Sequence, residues 1–111
     1  MIRDALRERY LRDPLPIRLG NLASDLARIA SCSENPKNHE VVMSVLEESK
    51  YFAEWAAAEA PPETQAILAE VQLQLALWHR RWLQGHPEPL MQHEVRRWSD
   101  QLLEHSGLLT S

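Results

Sequence analysis

Apolar residues recur along this chain every three or four positions, which is the spacing of an amphipathic helix. Proline and glycine interrupt the pattern at several points and divide the chain into segments. The segments predict helices near residues 3–12, 16–33, 36–60, 62–84 and 88–106. Because the connections are short, neighbouring helices should run antiparallel. We therefore expect an all-α fold, an antiparallel four-helix bundle with a short extra N-terminal helix, in a single helical domain covering residues 1–111.

The fourth segment is the one place where the pattern also allows a strand. In residues 71–77, a large apolar side chain at every second position alternates with glutamine or alanine. This period of two is typical of a half-buried strand. However, β-branched residues are scarce there, and no glycine or proline occurs between Pro62 and Gly85. Gln, Leu and Ala all favour helix. We therefore predict a helix for this segment.

Read as a helix, the fourth segment is apolar on two sides. One side, within an arc of about 100°, carries Ile67, Leu68, Val71, Leu75, Trp78 and Trp82. The opposite side carries Ala66, Ala69, Leu73 and Leu77. Such a helix is either central in its fold or in contact with another subunit. We predict that the second set lies at a subunit interface, and that Trp78, Trp82 and Trp98 lie largely in the core.

Composition and charge narrow the class of protein. The chain has 111 residues and a net charge of −4, which is too weak a charge to mark a nucleic-acid surface. No stretch free of charged residues approaches the roughly 20 residues of a membrane-spanning helix. The single cysteine, Cys32, excludes an internal disulfide and a cysteine-based zinc site. We expect a cytoplasmic protein that does not associate with membranes.

Two Arg-Arg-Trp triplets raise the alternative of nucleic-acid binding. They occupy residues 80–82 and 96–98 and could combine cations with stacking rings. Both tryptophans fall on the predicted core stripes. The arginines should therefore point to solvent, with the methylene groups of their side chains lying against the edges of the indole rings. We therefore do not expect nucleic acid as a partner.

Five histidines raise the alternative of a metal-binding helical bundle. They are His39, His79, His86, His93 and His105. Helical metal sites place ligands three or four residues apart, and His93-Glu94 has no second histidine at that spacing. Glu94 and His105 share a side of the fifth segment, but about 16 Å of helix separates them. We expect no metal and no acid–base pair here.

An enzyme alternative rests on Arg81 and His86. The HEPN ribonucleases are helical bundles in which an arginine precedes a histidine by a few residues, and Arg81 and His86 resemble that motif. Arg80 fits the same motif with one more intervening residue. Chance supplies such matches easily in a chain with this many arginines and histidines. RNA cleavage by Arg81 and His86 is therefore kept as an alternative to a non-enzymatic function.

Three stretches resemble small helical proteins of cyanobacteria whose function is unknown. They are residues 18–30, Arg18-Leu-Gly-Asn-Leu-Ala-Ser-Asp-Leu-Ala-Arg-Ile-Ala30, residues 47–55, Glu47-Glu-Ser-Lys-Tyr-Phe-Ala-Glu-Trp55, and residues 74–78, Gln74-Leu-Ala-Leu-Trp78. The resemblance implies a prokaryotic, cytoplasmic protein and carries no catalytic residue. We therefore expect a non-enzymatic helical interaction module without a cofactor, forming a homodimer or binding another protein.

Overall fold

The computed structural model describes residues 2–84 and 89–107, without the side chains of residues 2, 3, 36 and 89–91. Its helices are α1 (Ile2–Arg12), α2 (Leu15–Cys32), α3 (His39–Ala57), α4 (Pro62–Leu83) and α5 (Pro89–Ser106), with a 3-10 turn at Pro36–Asn38. No strand occurs within the described ranges, and residues 71–77 are helical as predicted. The all-α class is confirmed.

Proline and glycine set several of the helix ends. Pro14 and Pro61 precede α2 and α4 with extended backbones, at ψ 157° and 160°. A second proline follows within each first turn, where the missing N–H would have had no partner in the helix. At the other end of the chain, Gly107 adopts φ 76° directly after α5. This left-handed conformation favours glycine and confirms the predicted helix end.

The third helix is shorter than predicted. The pattern predicts one helix over residues 36–60, but the structure has a 3-10 turn first, and α3 begins only at His39. Asn38 lies between them at φ −91° and ψ 14°, and its side-chain amide donates to the Cys32 carbonyl over 3.2 Å. That bond gives the carbonyl group of the last residue of α2 a hydrogen-bond partner, next to the tighter 3-10 turn.

The core is shared among α2, α3, α4 and α5, and α2 and α3 pack against each other. α5 lies along α2, α4 lies along α3, and the contact between α4 and α5 is much smaller. The largest completely buried side chains come from all four of these helices; they include Leu22, Leu46, Leu75, Trp78 and Leu102. Trp82 is buried as predicted, whereas Trp98 is only half-buried. Val41, in the first turn of α3, is exposed.

The first helix is anchored by Tyr10. Its hydroxyl lies 3.2 Å from the Arg18 carbonyl and 3.1 Å from the Phe52 carbonyl, and its ring stacks on Phe52 at 4.1 Å between centroids. Arg18 is itself buried and pairs with Glu59 over 2.6 Å. The Tyr10 contacts therefore attach α1 to both α2 and α3.

The alternation along α4 generates a prediction about stability. Leu75→Ala should lower the free energy of unfolding by about 2–5 kcal/mol, because Leu75 is completely buried and truncation leaves a cavity. Leu73→Ala should cost less than about 1 kcal/mol, since Leu73 is 56% exposed. Urea unfolding in dilute solution, at about 1 µM, measures both. Equal losses would contradict the helical assignment, because a helix places these two leucines on different sides.

Candidate interaction surface on helix α4

The inner side of α4 is tied to the rest of the protein by packing and by two indole hydrogen bonds. Trp78 is completely buried, and its Nε1 donates to a carboxylate oxygen of Glu94 in α5 over 3.1 Å. The Nε1 of Trp82 donates to the His39 carbonyl at the start of α3 over 3.1 Å. The His39 ring also stacks on Trp82 at 5.2 Å. These contacts with two neighbouring helices determine which side of α4 is left outside.

The outer side of α4 carries a row of exposed apolar residues, which we call the outer stripe. Its members are Ala66, Ala69, Leu73, Ala76, Leu77 and Leu83. Leu73, Leu77 and Leu83 are 56, 40 and 62% exposed. All four residues expected at a subunit interface, Ala66, Ala69, Leu73 and Leu77, belong to the stripe. The structure therefore leaves these positions open to solvent in the single chain.

Sequence reasoning did not include Ala76 and Leu83 in the interface. Both continue the spacing of three and four residues that begins at Ala66 and Ala69. That continuation is the signal that could have identified them. Leu83 is the most exposed large apolar residue among those the structure describes. The exposed row is therefore about one and a half turns longer than predicted.

Charges along the outer side of α4 are segregated. Glu63 and Glu70 lie exposed in its first half, and Arg80 lies exposed in its last turn. This distribution opposes the helix dipole, which is positive at the N-terminus, and so stabilises the helix. It also gives the outer side an acidic half and a basic half.

The residue pair of the ribonuclease alternative lies only partly within the described part of the chain. Arg81 is half-buried in α4, while His86 lies outside the described residues. The two Arg-Arg-Trp triplets differ in their surroundings as well. Trp82 is buried, and Arg96 of the second triplet donates to the Ser31 hydroxyl of α2 over 3.4 Å. Burial keeps the Trp82 ring away from solvent, whereas Trp98 is only half-buried.

The described histidines do not converge. His39 stacks on Trp82, and His79 lies 3.4 Å from the Lys50 amine. Burial and the nearby Lys50 charge lower the pKa of His79, against the opposing effect of Glu47. His93 and His105 are exposed on α5. Among residues 2–84 and 89–107, no three His, Cys, Asp or Glu side chains are placed to hold a metal ion.

Asp25 of α2 and Glu48 of α3 form a half-buried carboxyl pair. Burial, a hydrogen bond with Glu48 and the Glu48 charge raise the pKa of Asp25 to about 8, while Arg28 opposes the shift. Two cavities of about 320 Å³ and 550 Å³ open beside Glu48, under α1. At neutral pH, Asp25 is therefore largely a neutral acid, which keeps its proton and can donate a hydrogen bond to Glu48.

Sequence reasoning missed Asp25, although its position offered a signal. Asp25 lies three residues after Leu22 and next to Leu26, both of which are completely buried. A carboxyl group at that spacing is turned toward the core side of α2 rather than toward solvent. One of its oxygens has no hydrogen-bond partner, which agrees with an uncharged acid at this place.

Comparisons with known proteins do not identify the chain. A scan against protein-family models found no match, and searches of curated proteins and of solved structures found none either. The resemblance to helical proteins of cyanobacteria therefore stays a prediction. Within the described residues, no helix is both long enough and apolar enough to cross a membrane.

The Asp25–Glu48 pair predicts a pH dependence of stability. In the unfolded chain Asp25 loses its proton near its ordinary pKa of 3.8, whereas in the folded protein it keeps the proton up to about pH 8. The stabilising contribution of this group is therefore complete below the unfolded pKa and is lost as the pH rises to about 8. Asp25→Asn should remove this contribution.

Thermal unfolding at pH 5 and pH 8 measures the effect. The drop in Tm from pH 5 to pH 8 should be smaller in Asp25→Asn than in the wild type by at least about 4 °C. Asp100→Asn, an exposed aspartate of α5, is the matched control and should leave the drop unchanged. An unchanged drop in Asp25→Asn would mean that Asp25 does not keep its proton in the folded protein.

Proposed function

We propose that this chain is a non-enzymatic helical interaction module that forms a homodimer through the outer stripe of α4. The observation that carries the proposal is the exposure of Leu73, Leu77 and Leu83 on a helix whose other side is fully buried. Apolar surface gains about 25 cal/mol per Å² when it leaves water. A second copy of the chain is the simplest partner that could bury these leucines, because it carries the same apolar stripe.

The continuity of the outer stripe supports an interface. Isolated exposed leucines are common on protein surfaces and require no explanation. Here the exposed apolar residues follow one another from Ala66 to Leu77, along about 17 Å of one helix, and Leu83 lies three residues beyond Arg80. Continuous apolar patches on soluble proteins mark sites of interaction. Contact with a different protein is the alternative use of the same surface.

We also propose that α2, α3, α4 and α5 form an antiparallel four-helix bundle, with α1 as a short extra helix. The contacts between α2 and α3 support this arrangement, because they join opposite ends. Arg18, early in α2, pairs with Glu59 beyond the end of α3, and Cys32, the last residue of α2, contacts Asn38 just before α3. In such a bundle the outer stripe faces away from the core and toward a partner.

The proposed interaction needs neither a cofactor nor a metal ion. A prokaryotic, cytoplasmic setting agrees with the resemblance to cyanobacterial proteins and belongs to the same proposal. The single cysteine, Cys32, supports a reducing compartment, since small domains of oxidising compartments are usually rich in disulfides.

The oligomeric state tests the proposal. Size-exclusion chromatography with light scattering should give a dimer for the wild type and a monomer for Leu73→Glu/Leu77→Glu, because buried carboxylates would oppose association. Circular dichroism should show unchanged helix content, since both leucines are exposed in the single chain. Leu73→Gln/Leu77→Gln is a milder, uncharged variant of the same test.

The matched control is Ile17→Glu/Val41→Glu, which changes two exposed apolar residues outside α4 and should remain dimeric. A wild type that is monomeric at every concentration overturns the homodimer. A Leu73→Glu/Leu77→Glu variant that stays dimeric removes α4 from the interface. Loss of helix content in both α4 variants would place these leucines in the core instead.

A further inference from the structure

The outer side of α4 has the spacing of a coiled-coil seam. Ala66, Ala69, Leu73, Ala76, Arg80 and Leu83 follow one another at intervals of three, four, three, four and three residues, and all six are exposed. This repeat keeps one row of side chains facing a partner helix along its whole length. A seam made by two identical helices can run parallel or antiparallel, and the residues themselves distinguish the two.

The sizes of the seam residues favour an antiparallel arrangement. The seam begins with the small residues Ala66 and Ala69 and ends with the large residues Arg80 and Leu83. A parallel pair would place alanine against alanine at one end and would leave a gap there. An antiparallel pair places each small residue against a large one, as close packing requires.

Side-chain charges favour the same arrangement. In a parallel pair, Arg80 would lie beside Arg80 of the other copy, and the two guanidinium groups would repel each other in the seam. In an antiparallel pair, Arg80 inserts beside Ala69 and Glu70 of the second copy. The alanine leaves room for the arginine stem, and the carboxylate is within reach of its guanidinium. The two helix dipoles are also opposed rather than aligned.

We infer that α4 pairs antiparallel with α4 of a second copy of this chain, about a two-fold axis midway between Leu73 and Ala76. Three kinds of layer form the seam: Ala66 against Leu83, Ala69 against Arg80, and Leu73 against Ala76. Each layer occurs twice, because a two-fold axis repeats every contact. The inference rests on the proposed homodimer and specifies its geometry.

The length of the seam sets the strength of the association. The distance along the helix from Ala66 to Leu83 is about 26 Å, so one pair of helices buries less than the roughly 1,200–2,000 Å² of stable interfaces. Dissociation in the micromolar range follows from a contact of this size. The monomer and dimer should therefore interconvert with concentration, and sedimentation equilibrium from about 1 µM to about 500 µM covers the transition.

Disulfide cross-linking tests the direction of the two helices. Cys32→Ser removes the single cysteine, and Ala66→Cys and Leu83→Cys are then introduced in separate chains. In the antiparallel seam, position 66 lies against position 83 of the second copy, whereas the two copies of position 66 are about 26 Å apart. A disulfide needs Cα atoms within about 7 Å. The equimolar mixture should therefore cross-link at least about tenfold more than either variant alone.

Each alternative result has a separate meaning. Efficient cross-linking of either variant alone overturns the antiparallel direction and keeps the homodimer. A sedimenting dimer that never cross-links overturns the layers given above. A protein that is monomeric over the whole concentration range overturns the proposed homodimer together with the inference.

A charge exchange provides a second test that needs no cysteine. Arg80→Glu should weaken dimerisation about 3- to 10-fold, because it places two carboxylates together in the seam. Glu70→Arg should do the same by placing two guanidinium groups together. The variant carrying both changes in one chain should regain wild-type association, while Arg97→Glu on α5 is a matched control without effect. No recovery in the double variant overturns the Glu70–Arg80 contact.

Discussion

The burial of Trp78 controls the orientation of α4 about its own axis, and the proposed surface depends on that orientation. The indole is completely buried, and its N–H is held by Glu94 of α5. Rotating α4 would expose the largest side chain of the core and leave a buried donor without a partner, and both changes are costly. Since α-helical residues are 100° apart, burying Trp78 and Leu75 leaves Leu73 and Leu77 outside. The burial of Trp78 therefore determines both which side of α4 joins the core and which side carries the outer stripe.

Hydrogen bonds from polar side chains connect α2 to α1, to α5 and to the residues just beyond α3. Tyr10 attaches α1 to carbonyl groups of α2 and α3, and Arg18 attaches the start of α2 to a carboxylate beyond α3. Ser99 donates to the Ala23 carbonyl over 2.7 Å, which brings α5 close to α2. A serine hydroxyl reaches the backbone carbonyl of a neighbouring helix only where the two helices lie close together. Small residues such as Ser99 and Ala23 allow the helices to approach that closely. Hydrogen bonds thus set the fine position of helices that apolar burial brings together.

Much of the fold was predictable because helical periodicity is a local property. Five helices, the helical state of residues 71–77 and the glycine that ends α5 were all predicted from spacing and from residue type. The 3-10 turn before α3 was not, because it depends on the Asn38 bond to the end of another helix. The half-burial of Trp98 was also missed, since it depends on how completely the neighbouring helices cover that side of α5.

For the candidate site, the sequence by itself determined that α4 is apolar on two sides and that Leu73 and Leu77 oppose Leu75 and Trp78. The tertiary structure decided which side faces the core, and it extended the exposed row to Ala76 and Leu83. It alone brought Asp25 against Glu48, which are 23 positions apart in the chain. The physical reason is that periodicity arises from the helix alone, whereas burial and pKa depend on residues contributed by other helices.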